Sequence, residues 1–318
     1  MKILLTGGAG FVGSHVADRC VAAGHDVVVV DDLSAGKREL IHPRATFYLV
    51  DIRSPAITEV FDRERPQIVC HLAARTNVRE SMEKPLLYAD VNVLGSLRLL
   101  ECCRRYKVRK VVYASTGGAA YGEAQCLPVR EEHPINPLDP YGASKHHVEH
   151  YLFLYRCNYG LDFTVLRYAN VFGPRQDPSG EAGVVAIFAL NMLTGRQPVI
   201  NGSGDQVRDY VYVGDVAAAT LTALKRGSGG TYNIGSGTGT SVSHIFDLLA
   251  GLTGYAGKRV NGPAKRGEVF RIYLDATKAR VELGWAARTG LEEGLGLTVT
   301  HFREKLQQAD RGSFAFAG

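Results

Sequence analysis

The chain has 318 residues, of which 45% are hydrophobic and 22% charged, with a formal net charge of +5. That length exceeds what one hydrophobic core usually holds, so a large domain with a smaller lobe is expected. Lysines and arginines are dispersed without a basic block or nucleic-acid motif, and no apolar run approaches the ~20 residues that span a bilayer.

Ile3–Leu5 is too short an apolar core for a signal peptide. The six cysteines show no metal-like CxxC spacing and sit mostly in apolar or helical context. These features predict a cytoplasmic protein that holds no metal.

In chain order, strands are expected over Lys2–Thr6, Asp26–Val30, Thr46–Val50, Gln67–His71, Lys110–Ser115 and Phe163–Tyr168. Several are apolar throughout rather than alternating, as strands buried on both faces of a parallel sheet are. Helical spacing fills the gaps, notably over Val12–Ala23 and Ala89–Tyr106. Strand–helix alternation of this kind predicts an α/β fold with a doubly wound parallel sheet.

The first strand runs into TGGAGFVG, with Gly7, Gly10 and Gly13 three residues apart and a helix following. In that context one glycine serves a tight turn, one admits a pyrophosphate and one lets helix and strand pack. The helix N-terminus then presents free N–H groups to phosphate. The second strand ends VVVVDD, placing Asp31 and Asp32 where a carboxylate can accept the adenosine ribose hydroxyls and repel a 2′-phosphate. NAD rather than NADP is the cofactor this predicts, with Asp51 and Ile52, after the third strand, meeting adenine.

Tyr141 and Lys145, in YGASK, lie four apart on one face of a predicted helix. An ammonium and a cationic nicotinamide nearby would favour the phenolate, so Tyr141 is the candidate base and its pKa is expected to fall. Ser115 and Thr116 end the fifth strand, where such folds bind ligands. Thr116 could pass a proton to Tyr141 or orient the substrate hydroxyl; Ser115 could serve the site or the local backbone.

After Asn170 the pattern changes to a Gly/Pro-rich loop, a helix over Val184–Thr194, a strand entering a helix at RDYVYVGDV and a strand at TYNIGSG. A helix over Val242–Leu252, a short strand near Phe270–Leu274, a terminal helix and a loose tail DRGSFAFAG complete the chain. The expected division is a dinucleotide-binding domain over 1–168, with 209–240 partly returning to it, and a smaller α/β substrate lobe built from 169–208 and 241–318.

Together TGGAGFVGSH, VDIRS, HLAA, ASTGGAAYGE, PYGASK, LRYANVFGPRQ, RDYVYVGDV and LDATKARVELGW resemble the extended short-chain dehydrogenase/reductase family over nearly the whole chain. The resemblance implies a Rossmann sheet and, within the family, NAD-dependent C4 epimerisation of UDP-glucose and UDP-galactose through a 4-keto intermediate. It adds Phe11 and Val12 to the glycine loop, and Leu33, Ser34 and Lys37 to the adenosine ribose. Leu72, Ala73, Ala74 and Asn92 would line the centre of the cofactor, and Lys145 and Tyr168 its nicotinamide end. For the UDP-sugar it implies Thr116 and Asn170 near the sugar and phosphates, Val184, Val185 and Phe188 beside uracil, Arg208 on the pyrophosphate and Glu268 on the uridine ribose. Lys265 stands where the family carries Arg, so Arg266 or Arg271 could take that phosphate contact. Relatives pair helices like Leu86–Arg105 and Tyr141–Cys157 into a four-helix bundle, which implies a homodimer.

Other chemistries of the family are weighed by the same residues. A 4,6-dehydratase carries an Asp-Glu pair where Gly117 and Gly118 stand, which argues against that reaction. Epimerisation of a UDP-N-acetylhexosamine stays open with the pocket size. A uronate epimerase or a decarboxylase would need a cation for the C6 carboxylate, for which Arg75 and Arg79 are the candidates. A non-catalytic NAD sensor would have no use for both Tyr141 and Lys145.

Overall fold

The computed structural model describes residues 1–179, 183–264 and 269–314, with side chains as far as 308. The strands β1 (Lys2–Thr6), β2 (Asp26–Asp31), β3 (Thr46–Leu49), β4 (Ile68–His71), β5 (Lys110–Thr116) and β6 (Asp162–Tyr168) all join one sheet. β4 and β5 are buried at every position, because neighbouring strands flank them and helices cover both faces. β3, at the sheet edge, is exposed at both ends.

Between these strands run α1 (Phe11–Ala22), α2 (Ala56–Glu64), α3 (Val78–Glu83), α4 (Pro85–Tyr88), α5 (Gly95–Arg105) and α6 (Pro140–Tyr159). Beyond β6 follow β7 (Asn170–Phe172), α7 (Val184–Leu193), β8 (Val199–Asn201), β9 (Val207–Tyr212), α8 (Val213–Ala223) and β10 (Gly230–Ile234). The described chain ends with β11 (Gly239–Ser241), α9 (Val242–Thr253), β12 (Val260–Gly262) and α10 (Leu291–Phe314).

The large sheet has seven strands in the order β10-β6-β5-β4-β1-β2-β3, every pair parallel. Pleating sends successive side chains to opposite faces. Ile3, Leu5, Val27 and Val29 therefore join Val16 and Ala17 of α1 and Val216 and Ala217 of α8. Leu4, Val28 and Val30 join Phe61 of α2, Leu99 of α5 and Leu152 of α6. Each such valine, leucine, isoleucine or phenylalanine, fully withdrawn from water, contributes roughly 1.5–3 kcal/mol.

The chain returns to this sheet late. β9 pairs in a separate three-stranded sheet with β7 and β11, whereas β10 joins β6 in register Gly230 to Thr164 through Ile234 to Tyr168. A third core lies under the small sheet, where Phe188 of α7 meets Phe246 of α9 edge to face at 5.9 Å. The loop after β7 reaches back to α1, with Pro174 accepting from His15 and Arg175 paired to Asp18 at 2.8 Å.

Three expectations change. Ala89–Leu94 forms a π-helical turn ahead of α5 rather than part of one helix. Phe270–Leu274 is no strand: Arg271 and Leu274 make isolated bridges to Val207 and Val129, so the segment is clasped between two others. The tail is helical as far as Phe314, because α10 continues through Asp310.

Candidate active site

The floor of the site is made where β1 lies between β2 and β4, the point at which the strand order reverses and open α/β sheets hold ligands. Gly7 adopts φ +73°, and a Cβ there would come within 2.7 Å of the Ala73 nitrogen. The turns after β1 and β4 thus pass backbone against backbone, which places Leu72, Ala73 and Ala74 beside the glycine loop. A Cβ on Gly13 would lie 2.0 Å from the Gly7 carbonyl oxygen, so α1 seats directly on its strand. Gly10 caps α1 without a side-chain bond, and no acidic residue occupies the first turn formed by Phe11 and Val12. Such an end carries partial positive charge and free N–H groups, and can receive a phosphate.

Asp31, at the end of β2, accepts from Ala9 N–H at 3.0 Å through one oxygen and from Leu33 N–H at 2.9 Å through the other. Burial raises its pKa against those two bonds. Each oxygen keeps a lone pair for a ribose hydroxyl. Asp32 instead holds Ser34, through both its N–H and its hydroxyl. The Lys37 backbone N–H closes onto Ala9. Asp51 is gripped by Arg53, which also reaches Asp90, while Ile52 is buried against Gly95. The glycine cradle, the uncapped helix and the carboxylate beyond it suit a dinucleotide without a 2′-phosphate.

Asn92 sits in the π-helical turn, fully buried. Its side chain clamps the Arg75 backbone, accepting at 2.8 Å and donating at 3.0 Å, and donates to Ser144 of α6 at 2.8 Å. A π-turn at such a point commonly marks a functional site. Here it turns a polar side chain inward, between the loop after β4 and α6.

α6 begins where Asp139 accepts from Gly142 N–H, and Pro140 occupies the first turn. Tyr141 and Lys145 then face the ends of β4 and β5. The Tyr141 phenol lies near enough to the Thr116 hydroxyl to interact with it, and Lys145 Nζ stands 4.3 Å from the ring centre of Tyr113. Without the cationic nicotinamide on which the expected fall of the Tyr141 pKa depends, the surrounding protein acts in the other direction. Burial pushes Tyr141 up to about 12, with Thr116 pulling the other way. Burial pushes Lys145 down to about 7, against the charge of Glu149. Protein groups alone therefore keep the phenol neutral, because the cost of charge in a dry site exceeds one hydroxyl's help.

The two hydroxyls at the end of β5 part company. Ser115 donates to Glu149 Oε1 at 2.5 Å, away from Tyr141. Thr116 accepts from Ala119 N–H and meets Tyr141. A Cβ on Gly118 would lie 3.5 Å from Asn170 Oδ1 and 3.9 Å from Thr116 Oγ1, so Asn170 and Thr116 border the same small space. A Cβ on Gly117 would stand 2.5 Å from a Leu274 methyl, so a side chain there would require that leucine to move. Tyr168 bonds Thr220 of α8 at 2.9 Å, so its hydroxyl is anchored within the sheet's cover.

Of the residues expected at the nucleotide sugar, Val185 and Phe188 are core residues of the small lobe, while Val184 is only partly buried. Arg208 Nη1 donates to the carbonyls of Val207 and Phe270, at 3.0 and 3.2 Å. Glu268, with Lys265 and Arg266, lies outside the described residues; Arg271 is exposed beside Val207.

Glu149 and Arg167 escape sequence inspection, although both carry a signal. A carboxylate one turn after Lys145 shares its helix face, and an arginine interrupts an otherwise apolar strand. Asp209 is the third such residue, its buried carboxylate accepting from Ser236, Gly237 and Leu274.

Known proteins match this architecture along its length. The sequence profile of the NAD dependent epimerase/dehydratase family matches residues 3–235. A UDP-glucose 4-epimerase of Mycolicibacterium smegmatis is 43% identical, covering 96% of this chain and 100% of its own. A UDP-glucose 4-epimerase of Thermotoga maritima, solved with UDP-glucose, superposes with TM-score 0.95 at 48% identity, over 96% of this chain and 100% of that one. The Thermus thermophilus UDP-glucose 4-epimerase, solved with NAD, gives TM-score 0.92 at 45% identity, over 95% and 99%. A glycine cradle at the switch point, a Tyr–Lys helix beside it and likeness over the full chain lead to one conclusion: the chain belongs to the NAD dependent epimerase/dehydratase family.

Proposed function

We propose that the protein is a UDP-glucose 4-epimerase, interconverting UDP-glucose and UDP-galactose through a 4-keto sugar with NAD kept through the cycle. The observation that carries this is the placing of Tyr141 beside Thr116 at the carboxyl end of β5, in a chain that matches UDP-glucose 4-epimerases end to end. Bound NAD would supply the hydride acceptor and donor, and a positive charge that favours the phenolate.

The chain's own residues do the rest. Tyr141 takes the proton of the 4-hydroxyl and returns it to the same oxygen once the 4-keto sugar has turned its opposite face toward the cofactor side. Thr116 holds that hydroxyl against the phenol. Lys145 fixes the nicotinamide ribose and adds positive charge. Gly7, Gly10 and Gly13 receive the cofactor pyrophosphate and Asp31 its adenosine ribose. Asn170 and Arg208 grip the UDP while the 4-keto sugar turns over. We assign residues 1–168 with β10 to cofactor binding, and 169–208 with 241–318 to the nucleotide sugar.

Association and location belong to the same reading. Leu86 of α4 is 84% exposed and Phe153 of α6 is 51% exposed, with Met82, Leu94 and Leu154 nearby in sequence on the same run of helices. An apolar surface of that kind supports a homodimer built on α6 and the helices before it. Among the described residues no helix is long and apolar enough to cross a membrane. All six cysteines are free and four are buried, which supports a reducing cytoplasm.

Incubation with NAD and UDP-galactose, followed by chromatography, should show UDP-glucose forming and no free NADH accumulating. Tyr141→Phe should lower kcat by about 10²–10⁴-fold with the bound NAD unchanged. No interconversion of UDP-galactose, alongside turnover of UDP-N-acetylglucosamine or UDP-glucuronate, would transfer the assignment to that substrate.

A further inference from the structure

We propose that Glu149, clamped by Arg167, is a positioning residue for the reacting groups, holding the end of β5 and the Tyr141–Lys145 face of α6 in fixed relation. The inference rests on the epimerase reading. Arg167 Nε donates to Glu149 Oε1 at 3.1 Å and Nη2 to Oε2 at 2.6 Å. Oε1 also accepts from Ser115, the residue before Thr116. Arg167 in turn precedes Tyr168 on β6 and donates through Nη1 to Tyr121 Oη at 2.8 Å. One carboxylate therefore joins β5, β6 and α6, each next to a residue of the candidate site.

Stability alone does not account for such a pair. Both side chains are 7% exposed, and a buried ion pair is often no better than apolar side chains of the same volume. Fixing geometry and charge is the purpose it suits. Lys145 is faced by Glu149 of α6, by His71 of β4 and by Tyr113 of β5. Glu149 is the one group there that opposes the loss of the Lys145 proton. Glu149 itself faces His146 on its own helix, Ser115, Tyr113 and Tyr121 from the β5 side, and Arg167 from β6. Burial opposes its ionisation, but His146 and Arg167 hold it at about 2.

The test pairs turnover of UDP-galactose with a side-chain NMR titration of Lys145 in cofactor-free protein, its signal identified by loss in Lys145→Ala. Glu149→Gln keeps the shape and removes the charge. Its kcat should fall about 10²-fold with KM within about twofold of wild type, and Lys145 should titrate about one pH unit lower. Glu149→Asp should return the titration while kcat stays reduced, because the shorter arm cannot hold both Ser115 and Arg167. If Glu149→Gln does not fold, the double variant Glu149→Leu with Arg167→Met replaces the pair by apolar groups and should show the same two changes. Wild-type kcat in the variant that folds overturns the proposal. In Glu149→Gln, or in the double variant that replaces it, a reduced kcat with Lys145 titrating as in wild type overturns it too, since Glu149 would then serve the fold alone. A wild-type protein inert on UDP-galactose overturns the epimerase reading instead, and the titration still decides the role of Glu149.

Discussion

Lys145 is held at about 7, whereas lysine in an unfolded chain titrates near ~10.4. Between those values the unfolded state binds more protons than the folded one, so stability rises with pH across that window. Below it the folded protein carries a buried ammonium at a cost. Lys145→Met should therefore make the cofactor-free protein more stable near pH 7, by on the order of a few kcal/mol, with the gap narrowing toward pH 10. Urea unfolding at pH 7 and pH 9.5 reads this directly; a variant less stable at both values contradicts it. The pair itself was legible in the sequence, because Tyr141 and Lys145 share one helix and spacing alone aligns them. Their ionisation was not. It depends on Thr116, Tyr113 and Glu149 packing around them, and on the dryness of a site that several elements enclose.

Among the elements, the first turn of α1 has the tightest geometry. Alanine at Gly13 would put its Cβ 2.0 Å from the Gly7 oxygen, a backbone atom that cannot yield without lifting α1 from β1. Gly13→Ala should cost about 1–3 kcal/mol and release NAD. Gly10→Ala, whose Cβ would stand 3.2 Å from the same oxygen and ask it to shift by only a few tenths of an ångström, should lower the urea midpoint less than Gly13→Ala. Equal midpoints for the two variants would count against this account. The strands of the large sheet were readable because apolar runs report burial on both faces. The π-helical turn was not readable, since its cause is the pull of Asn92 toward Arg75 and Ser144, contacts across 17 and 52 residues. The clasped segment at Phe270–Leu274 was misread for the same reason: its partners are Val207 and Val129, and nothing local distinguishes a bridge from a strand.

At the scale of the molecule, the exposed apolar run on α4 and α6 sets the expected assembly. Phe153→Asp should convert a species of twice the chain mass into one of single chain mass in light scattering at micromolar concentration, without unfolding it, because Phe153 lies outside the cores. A wild-type protein already of single chain mass removes the dimer.

The order in which the sheet is completed has a consequence for biosynthesis. β6 ends at Tyr168, and its outer neighbour β10 begins at Gly230. A nascent chain must therefore emit the whole of residues 169–229 while the outer rim of β6 waits without its cap. An unpaired rim of that kind is a template for stray strand addition, so synthesis passes through an open edge at β6 that the folded protein closes with β10.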